Sequence, residues 1–124
     1  MHDNTFSLDS SISPAKFVYS EVFNAAVPFI DRHITEGRGD KVAILCSNGE
    51  KVRYTELSER VNRCGSLLRA KGMKPGQRLL MVIKDAPEFF YVFWGSIKAG
   101  IIPVPLNTLL RSKDYRLLIE DSEC

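Results

Sequence analysis

A nucleophile, a metal site or an acid–base pair needs suitable side chains close enough to act together, and this sequence offers few such sets. Its cysteines are Cys46, Cys64 and Cys124, and its histidines are His2 and His33. An odd number of cysteines at wide spacing makes no disulfide framework, and no CxxC pair begins a zinc site. Cys46 lies in an apolar run and Cys64 on an apolar helical stripe, so both read as small core residues. Asp85 and Glu88 flank Pro87 at a predicted helix start, where capping accounts for them without acid–base work. Asp31 and Arg32 read as solvated charges on a helix face, and Glu56, Glu59, Arg60 and Arg63 as helix-surface pairing. The cluster Arg111, Lys113 and Arg116 could meet a phosphate or lie on a solvated helix face. GxGxxG, GxxxxGK[ST] and GxSxG motifs do not occur. Gly37-Arg38-Gly39 follows a helix and precedes a strand, the reverse of the order in a phosphate loop. No residue is assigned a catalytic or metal-binding role.

The elements that would position these residues follow from periodicity. Residues 1–20 are polar and Ser-rich and read as an arm, partly flexible or draped on a neighbour through Phe6, Leu8, Phe17, Val18 and Tyr19. Asn24 is placed to cap a helix reaching Thr35, with Phe23, Ala26, Val27, Ile30 and Ile34 as its stripe and Pro28 in its first turn. Val42 to Cys46 reads as a buried strand. Asn48-Gly49 predicts a hairpin whose two central turn residues have positive φ. Thr55 is predicted to cap the next helix, with Leu57, Val61, Cys64 and Leu68 buried and Gly72 as its stop. Lys74-Pro75-Gly76-Gln77 is a turn. Leu79 to Ile83 reads as a strand covered on both faces. Pro87 opens a helix to about Ala99 that is apolar around most of its circumference and so expected to be buried on most sides. Trp94 on that helix could line an aromatic pocket, but core packing is the favoured reading. A strand from Ile101 to Leu106 follows, and Ser112 is predicted to cap a last helix with Tyr115, Leu118 and Ile119 on one face. Strand, helix, strand, helix from Leu79 onward is a right-handed βαβ crossover, and the fold class is α/β.

The chain has 124 residues, a net charge of +2, 44% apolar and 26% charged residues. These values exclude a disordered or collagen-like chain and give no nucleic-acid-type basicity. A membrane span needs roughly 20 apolar residues, and the runs here are far shorter. The first residues lack the basic start and apolar core of a signal peptide, so the cytoplasm is the expected location. A helix this apolar, in a chain that a parallel sheet would continue with another strand, leads us to expect part of a longer polypeptide; the alternative is a complete small domain with a frayed tail.

Two segments go beyond propensity. Val52-Arg53-Tyr54-Thr55-Glu56-Leu57 resembles the first signature motif of the adenylate-forming acyl-CoA synthetase superfamily, a hydrophobic-x-Tyr-Thr-x-Leu step into a helix. Lys98-Ala99-Gly100-Ile101-Ile102-Pro103-Val104-Pro105-Leu106-Asn107 resembles its second. A narrower likeness, to benzoate-CoA ligases, runs through Asn24-Ala25-Ala26, Phe29 to His33, Gly37 to Lys41, Pro87-Glu88-Phe89, Phe93-Trp94-Gly95 and Pro103 to Leu110. The resemblance spans residues 22–124. It implies a β-hairpin and a parallel βαβ unit, with 21–124 an incomplete amino-terminal segment of a large adenylation domain. It also implies ATP, Mg and CoA as cofactors and a small aryl carboxylate as substrate, with no nucleic-acid or membrane partner and with homo-oligomerisation left open. The phosphate loop, nucleotide contacts, acyl pocket and adenylation lysine of the family lie beyond the matched motifs, so the segment alone is expected to be inactive. Lys98 is not that lysine. Some aryl-CoA ligases carry a basic residue two positions after the Asn, facing the CoA phosphates. That slot is Leu109 here, which leaves Arg111, two positions on, as the CoA-contact candidate. Another acyl or aryl acid CoA ligase, or a free-standing α/β binding module, are the alternative readings.

Overall fold

A computed structural model describes residues 3–124; His2 and the start of the expected arm lie outside the described residues. Among the described residues the fold comprises three two-stranded sheets, four α-helices and one short π-helical segment. β1 (Phe6–Asp9) and β2 (Lys16–Tyr19) pair antiparallel, with Phe6 opposite Tyr19. The segment read as an arm therefore contains a hairpin. Its Phe6, Phe17 and Tyr19 rings cluster, and Tyr19 reaches Phe23 at 4.7 Å between centroids. Four-residue strands give too short an alternation to stand out from a polar background.

A π-helical segment, Val27–Asp31, runs into α1 (Arg32–Thr35), with Pro28 in the first turn as expected. Asn24 binds this turn, its Oδ1 accepting the Ala26 N–H at 3.0 Å. β3 (Val42–Leu45) and β4 (Lys51–Arg53) form the second hairpin. Gly49 N–H donates to the Cys46 carbonyl and Cys46 N–H to the Glu50 carbonyl. Gly49 has φ of +86°, whereas Asn48 is not among the positive-φ residues. The connection is thus a type I turn closed by a glycine bulge, in which only the last loop residue must be left-handed. β3 is not buried: Val42 and Leu45 are exposed, and Cys46 and Cys64 are half-buried instead of lying in the core.

α2 (Tyr54–Ala70) starts one residue earlier than its predicted cap. Thr55 does not cap it. The first-turn N–H groups of Tyr54 and Thr55 donate to the Lys41 and Gly39 carbonyls, so the preceding loop satisfies donors that a side chain would otherwise take. Thr55 Oγ1 instead fills the space beside Gly39, 2.6 Å from where a Cβ would stand. β5 (Arg78–Met81), α3 (Pro87–Lys98) and β6 (Ile102–Pro105) form the expected crossover, with a parallel register that sets Leu80 opposite Val104. α3 ends in a Schellman motif, with Ile101 N–H on the Ser96 carbonyl, Gly100 N–H on the Ile97 carbonyl and φ of +78° at Gly100. α4 (Ser112–Ser122) begins after Arg111. Ser112 is its first helical residue and not its cap; the Asp114 carboxylate reaches back to the Arg111 N–H at 3.2 Å.

The core is Ile30, Val52, Leu57 and Val61, with Tyr54, Tyr91 and Trp94 packed against it. The most extensive contact between elements joins α2 and α3. There Gly65 and Gly95 let the helices approach until each would reject a Cβ: one on Gly95 would stand 2.9 Å from the Val61 carbonyl oxygen. Burial on α3 is confined to this face, at Gly95 and Ser96. Its aromatic flank is half-exposed, and Val82 beyond β5 is exposed, so neither α3 nor the strand is covered on all sides. A two-stranded sheet with one crossover helix has too few layers to cover both faces.

Candidate functional site

The carboxyl ends of β5 and β6 open into a crevice of about 430 Å³, lined by residues that include Lys84, Asp85, Phe89, Asn107 and Leu109. In open α/β sheets ligands sit outside the carboxyl ends of the strands. Asn107, the last residue of the second motif, organises one wall. Its Oδ1 accepts the Leu109 N–H at 2.9 Å, and its carbonyl accepts the Tyr115 hydroxyl at 2.8 Å. The loop 107–111 is thereby clamped to the first turns of α4. Sequence reasoning read Tyr115 only as part of an apolar face. An Asn two residues before a turn amide was a usable signal for the local bond, whereas the Tyr115 contact had none.

Arg111 stands at the amino end of α4, exposed and without an ion pair among the described residues. Lys113 and Arg116 are exposed on the same helix, and Leu109, in the family's basic slot, is the most exposed large apolar residue of the described chain at 88%.

Lys98 is engaged elsewhere. Its Nζ lies 2.6 Å from Asp31 Oδ1, and Ser58 Oγ donates to the same oxygen at 3.3 Å. Asp31 is therefore not a solvated charge; both members of the pair are about three-quarters buried. Asn24 Nδ2 donates to the Ile97 carbonyl at 2.8 Å, so the motif Lys98-Ala99-Gly100 is fixed to the first helical segment from two sides. Arg32, by contrast, pairs at the surface with Glu36 at 3.7 Å, and Arg60 with Glu56 at 3.9 Å. Asp85 and Glu88 make no side-chain cap on α3. Trp94 stacks on Phe29 at 5.6 Å and meets Phe93 edge-on at 5.3 Å.

His33 stacks on Tyr54 with centroids 3.9 Å apart, and its Nδ1 accepts the Arg38 Nε–H at 3.0 Å. Burial, and then the Arg38 and Arg32 charges, hold its pKa below the ordinary value. Burial pushes the Cys64 thiol up, which keeps it protonated and unsuited to nucleophilic work. Among the described residues no three His, Cys, Asp or Glu side chains gather as metal ligands. The described glycines sit in turns and at the α2–α3 crossing, not in a loop that could wrap a triphosphate. No described helix is long and apolar enough to cross a membrane.

A parallel βαβ unit preceded by an antiparallel hairpin is the amino-terminal architecture of adenylate-forming enzymes. A benzoate CoA ligase from Burkholderia xenovorans superposes with a TM-score of 0.76 at 35% identity, over 83% of this chain and 20% of that one. MatB from Rhodopseudomonas palustris superposes with a TM-score of 0.74 at 27% identity, over 81% of this chain and 19% of that one. The chain belongs to the AMP-binding enzyme family, whose profile matches residues 31–124. Relatives include a 4-hydroxybenzoate–CoA/benzoate–CoA ligase from Rhodopseudomonas palustris, 45% identical over 81% of this chain and 18% of that protein. A benzoate–CoA ligase from Thauera aromatica is 40% identical over 92% of this chain and 22% of that protein. The chain thus spans about a fifth of the length of the curated relatives it matches.

Proposed function

We propose that this segment is the amino-terminal part of the large domain of an ATP-dependent aryl-carboxylate CoA ligase of the benzoate type. The single observation that carries the reading is the 45% identity to a ligase named for benzoate and 4-hydroxybenzoate, over 100 residues. Residues 1–20 form the amino-terminal arm and 21–124 the first part of the adenylation domain. The reaction implied is acyl transfer in two steps. A carboxylate oxygen attacks the α-phosphorus of ATP, forming an acyl-adenylate and releasing pyrophosphate. The CoA thiol then attacks the acyl carbon, loses its proton and displaces AMP. Adenylation is needed because a carboxylate is a poor electrophile without a leaving group. Magnesium and basic groups elsewhere in the domain offset the phosphate charge. The protein would work in the cytoplasm on a small aryl acid.

Within this scheme the segment holds no catalytic group. It supplies the packed platform of Lys98, Asn24 and Asp31, and a cationic rim at Arg111 for the CoA phosphates. The 124 residues alone should release no pyrophosphate with benzoate and ATP; release that depends on all three would overturn the expected inactivity of the segment. In the full-length enzyme Arg111→Ala should raise the KM for CoA several-fold while leaving benzoate-dependent ATP–pyrophosphate exchange intact, because adenylation precedes CoA binding. Equal loss in both assays would remove Arg111 from the CoA path.

A further inference from the structure

Residues 36–41, between α1 and β3, close the start of α2, and His33 holds that loop by two bonds. Arg38 N–H donates to the His33 carbonyl at 2.7 Å, and Arg38 Nε–H donates to His33 Nδ1 at 3.0 Å. Lys41 N–H in turn donates to the Arg38 carbonyl at 3.0 Å, which folds 38–41 into a turn. That turn carries both acceptors for the first donors of α2. The Lys41 carbonyl takes the Tyr54 N–H at 3.1 Å, and the Gly39 carbonyl takes the Thr55 N–H at 3.0 Å. No side chain caps this end of the helix. The turn is closely seated, because Thr55 Oγ1 fills the space beside Gly39. His33 also stacks on the Tyr54 ring. One imidazole therefore touches both the turn and the helix that the turn closes.

We propose that His33 is a pH-sensitive latch: protonation at Nδ1 releases Arg38, and with it the 38–41 turn, from the start of α2. A neutral ring accepts at Nδ1 only with its proton on Nε2. A proton added at Nδ1 turns the acceptor into a donor and sets it against the Arg38 Nε–H, with two cations at hydrogen-bond distance. The surrounding charges do not offset this. Arg32 on α1 and Arg38 and Lys41 in the loop oppose a further charge, and Glu36 favours it. Glu36 is already shared between Arg32 and Arg38. From α2 the ring meets Tyr54, whose face accommodates a cation, so the stack persists and the break falls on Arg38. Burial, together with these charges, sets the change below the ordinary 6.5 of a histidine. The Arg53 guanidinium still donates to the Asp40 carbonyl, which ties the loop to β4 and keeps the opening local.

Amide exchange of the 124-residue chain at about pH 7.5 and about pH 5, corrected for intrinsic rates, tests the latch. Val61, in the middle of α2, reports any loss of overall stability. On going to the lower pH, protection of the Tyr54 and Thr55 amides should fall at least about fivefold more than that of Val61. His33→Phe keeps a ring on Tyr54 and cannot titrate, so in that variant the excess fall should vanish. In case the variant does not fold, the imidazole nitrogen shifts of the unaltered chain give a second readout. They should show a neutral ring protonated at Nε2, which titrates below the ordinary value in step with the loss of Tyr54 and Thr55 protection. Four results would each overturn the latch: a titrating His33 with Tyr54 and Thr55 falling no more than Val61, the same excess in a folded His33→Phe chain, a neutral ring protonated at Nδ1, or an excess fall out of step with the His33 titration.

Discussion

Lys98 and Asp31 are 67 residues apart in sequence and 2.6 Å apart in space. The pair joins the end of α3 to the first helical segment, and its burial makes each partner costly to leave alone. Lys98→Met and Asp31→Asn should each destabilise the chain by about 1–2 kcal/mol, with the double variant losing less than the sum. Strict additivity in denaturant melts would show that the pair contributes nothing. His33 gives a second expectation at this scale. Its Nδ1 can accept the Arg38 N–H only while the ring is neutral, and the nearby Arg32, Arg38 and Lys41 oppose a further charge, with Glu36 alone favouring it. The folded value therefore lies below the ordinary 6.5, and the folded state binds fewer protons than the unfolded chain. That contribution to stability is complete above the ordinary value and is lost as pH falls through the folded one. Between about pH 7 and pH 5 the melting temperature of the native chain should fall more than that of His33→Phe, which keeps the ring stack and cannot titrate. Parallel curves would refute this.

Among the elements, α2 and α3 depend on close approach at two glycines. A Cβ on Gly95 would stand 2.9 Å from both Cys64 Cβ and the Val61 carbonyl oxygen, neither of them a flexible side-chain tip. Alanine is the better helix former by about 1 kcal/mol, yet the helices must separate to admit it. Gly95→Ala should therefore be net destabilising, by about 1–3 kcal/mol. A neutral or stabilising result in thermal melts would mean that the crossing has slack. Trp94 sits on the same helix, stacked on Phe29 but only half-buried. Trp94→Ala should cost about 2–3 kcal/mol, less than the roughly 3–5 of a fully enclosed Trp. A loss under about 1 kcal/mol would place it at a surface.

Across the whole molecule, order is expected to be uneven. α4 buries no residue. It is tied to the rest by the Tyr115–Asn107 bond and an exposed Arg78–Glu123 contact at 3.3 Å. Its amides should exchange far faster than those of α2, whose Leu57 and Val61 lie in the core; equal protection of the two helices would contradict that. Leu109, Leu117, Leu45 and Phe29 are all more than half-exposed. Such surface should bind hydrophobic dyes in the isolated segment, and a chain that binds none would show that these residues form no continuous patch.

The amino-acid sequence by itself determined the crossover Pro87–Lys98, the stops at Gly72 and Gly100, the Lys74–Gln77 turn and the two motifs that carry the family. These rest on local chemistry: a proline without an N–H, a glycine free to take positive φ, and a side-chain period that matches the backbone. The tertiary structure decided how helix starts are satisfied, since the carbonyls of Gly39 and Lys41 take the donors for which Thr55 was the sequence candidate. It decided burial as well. An apolar period reports which face seeks cover, but only the number of packed layers determines whether cover exists, which is why α3 is buried at Gly95 and Ser96 and half-exposed on its aromatic flank. And it brought Asn107 to Tyr115 and Lys98 to Asp31. A hydrogen bond or ion pair between separate elements depends on where the chain folds back, and no local periodicity records that.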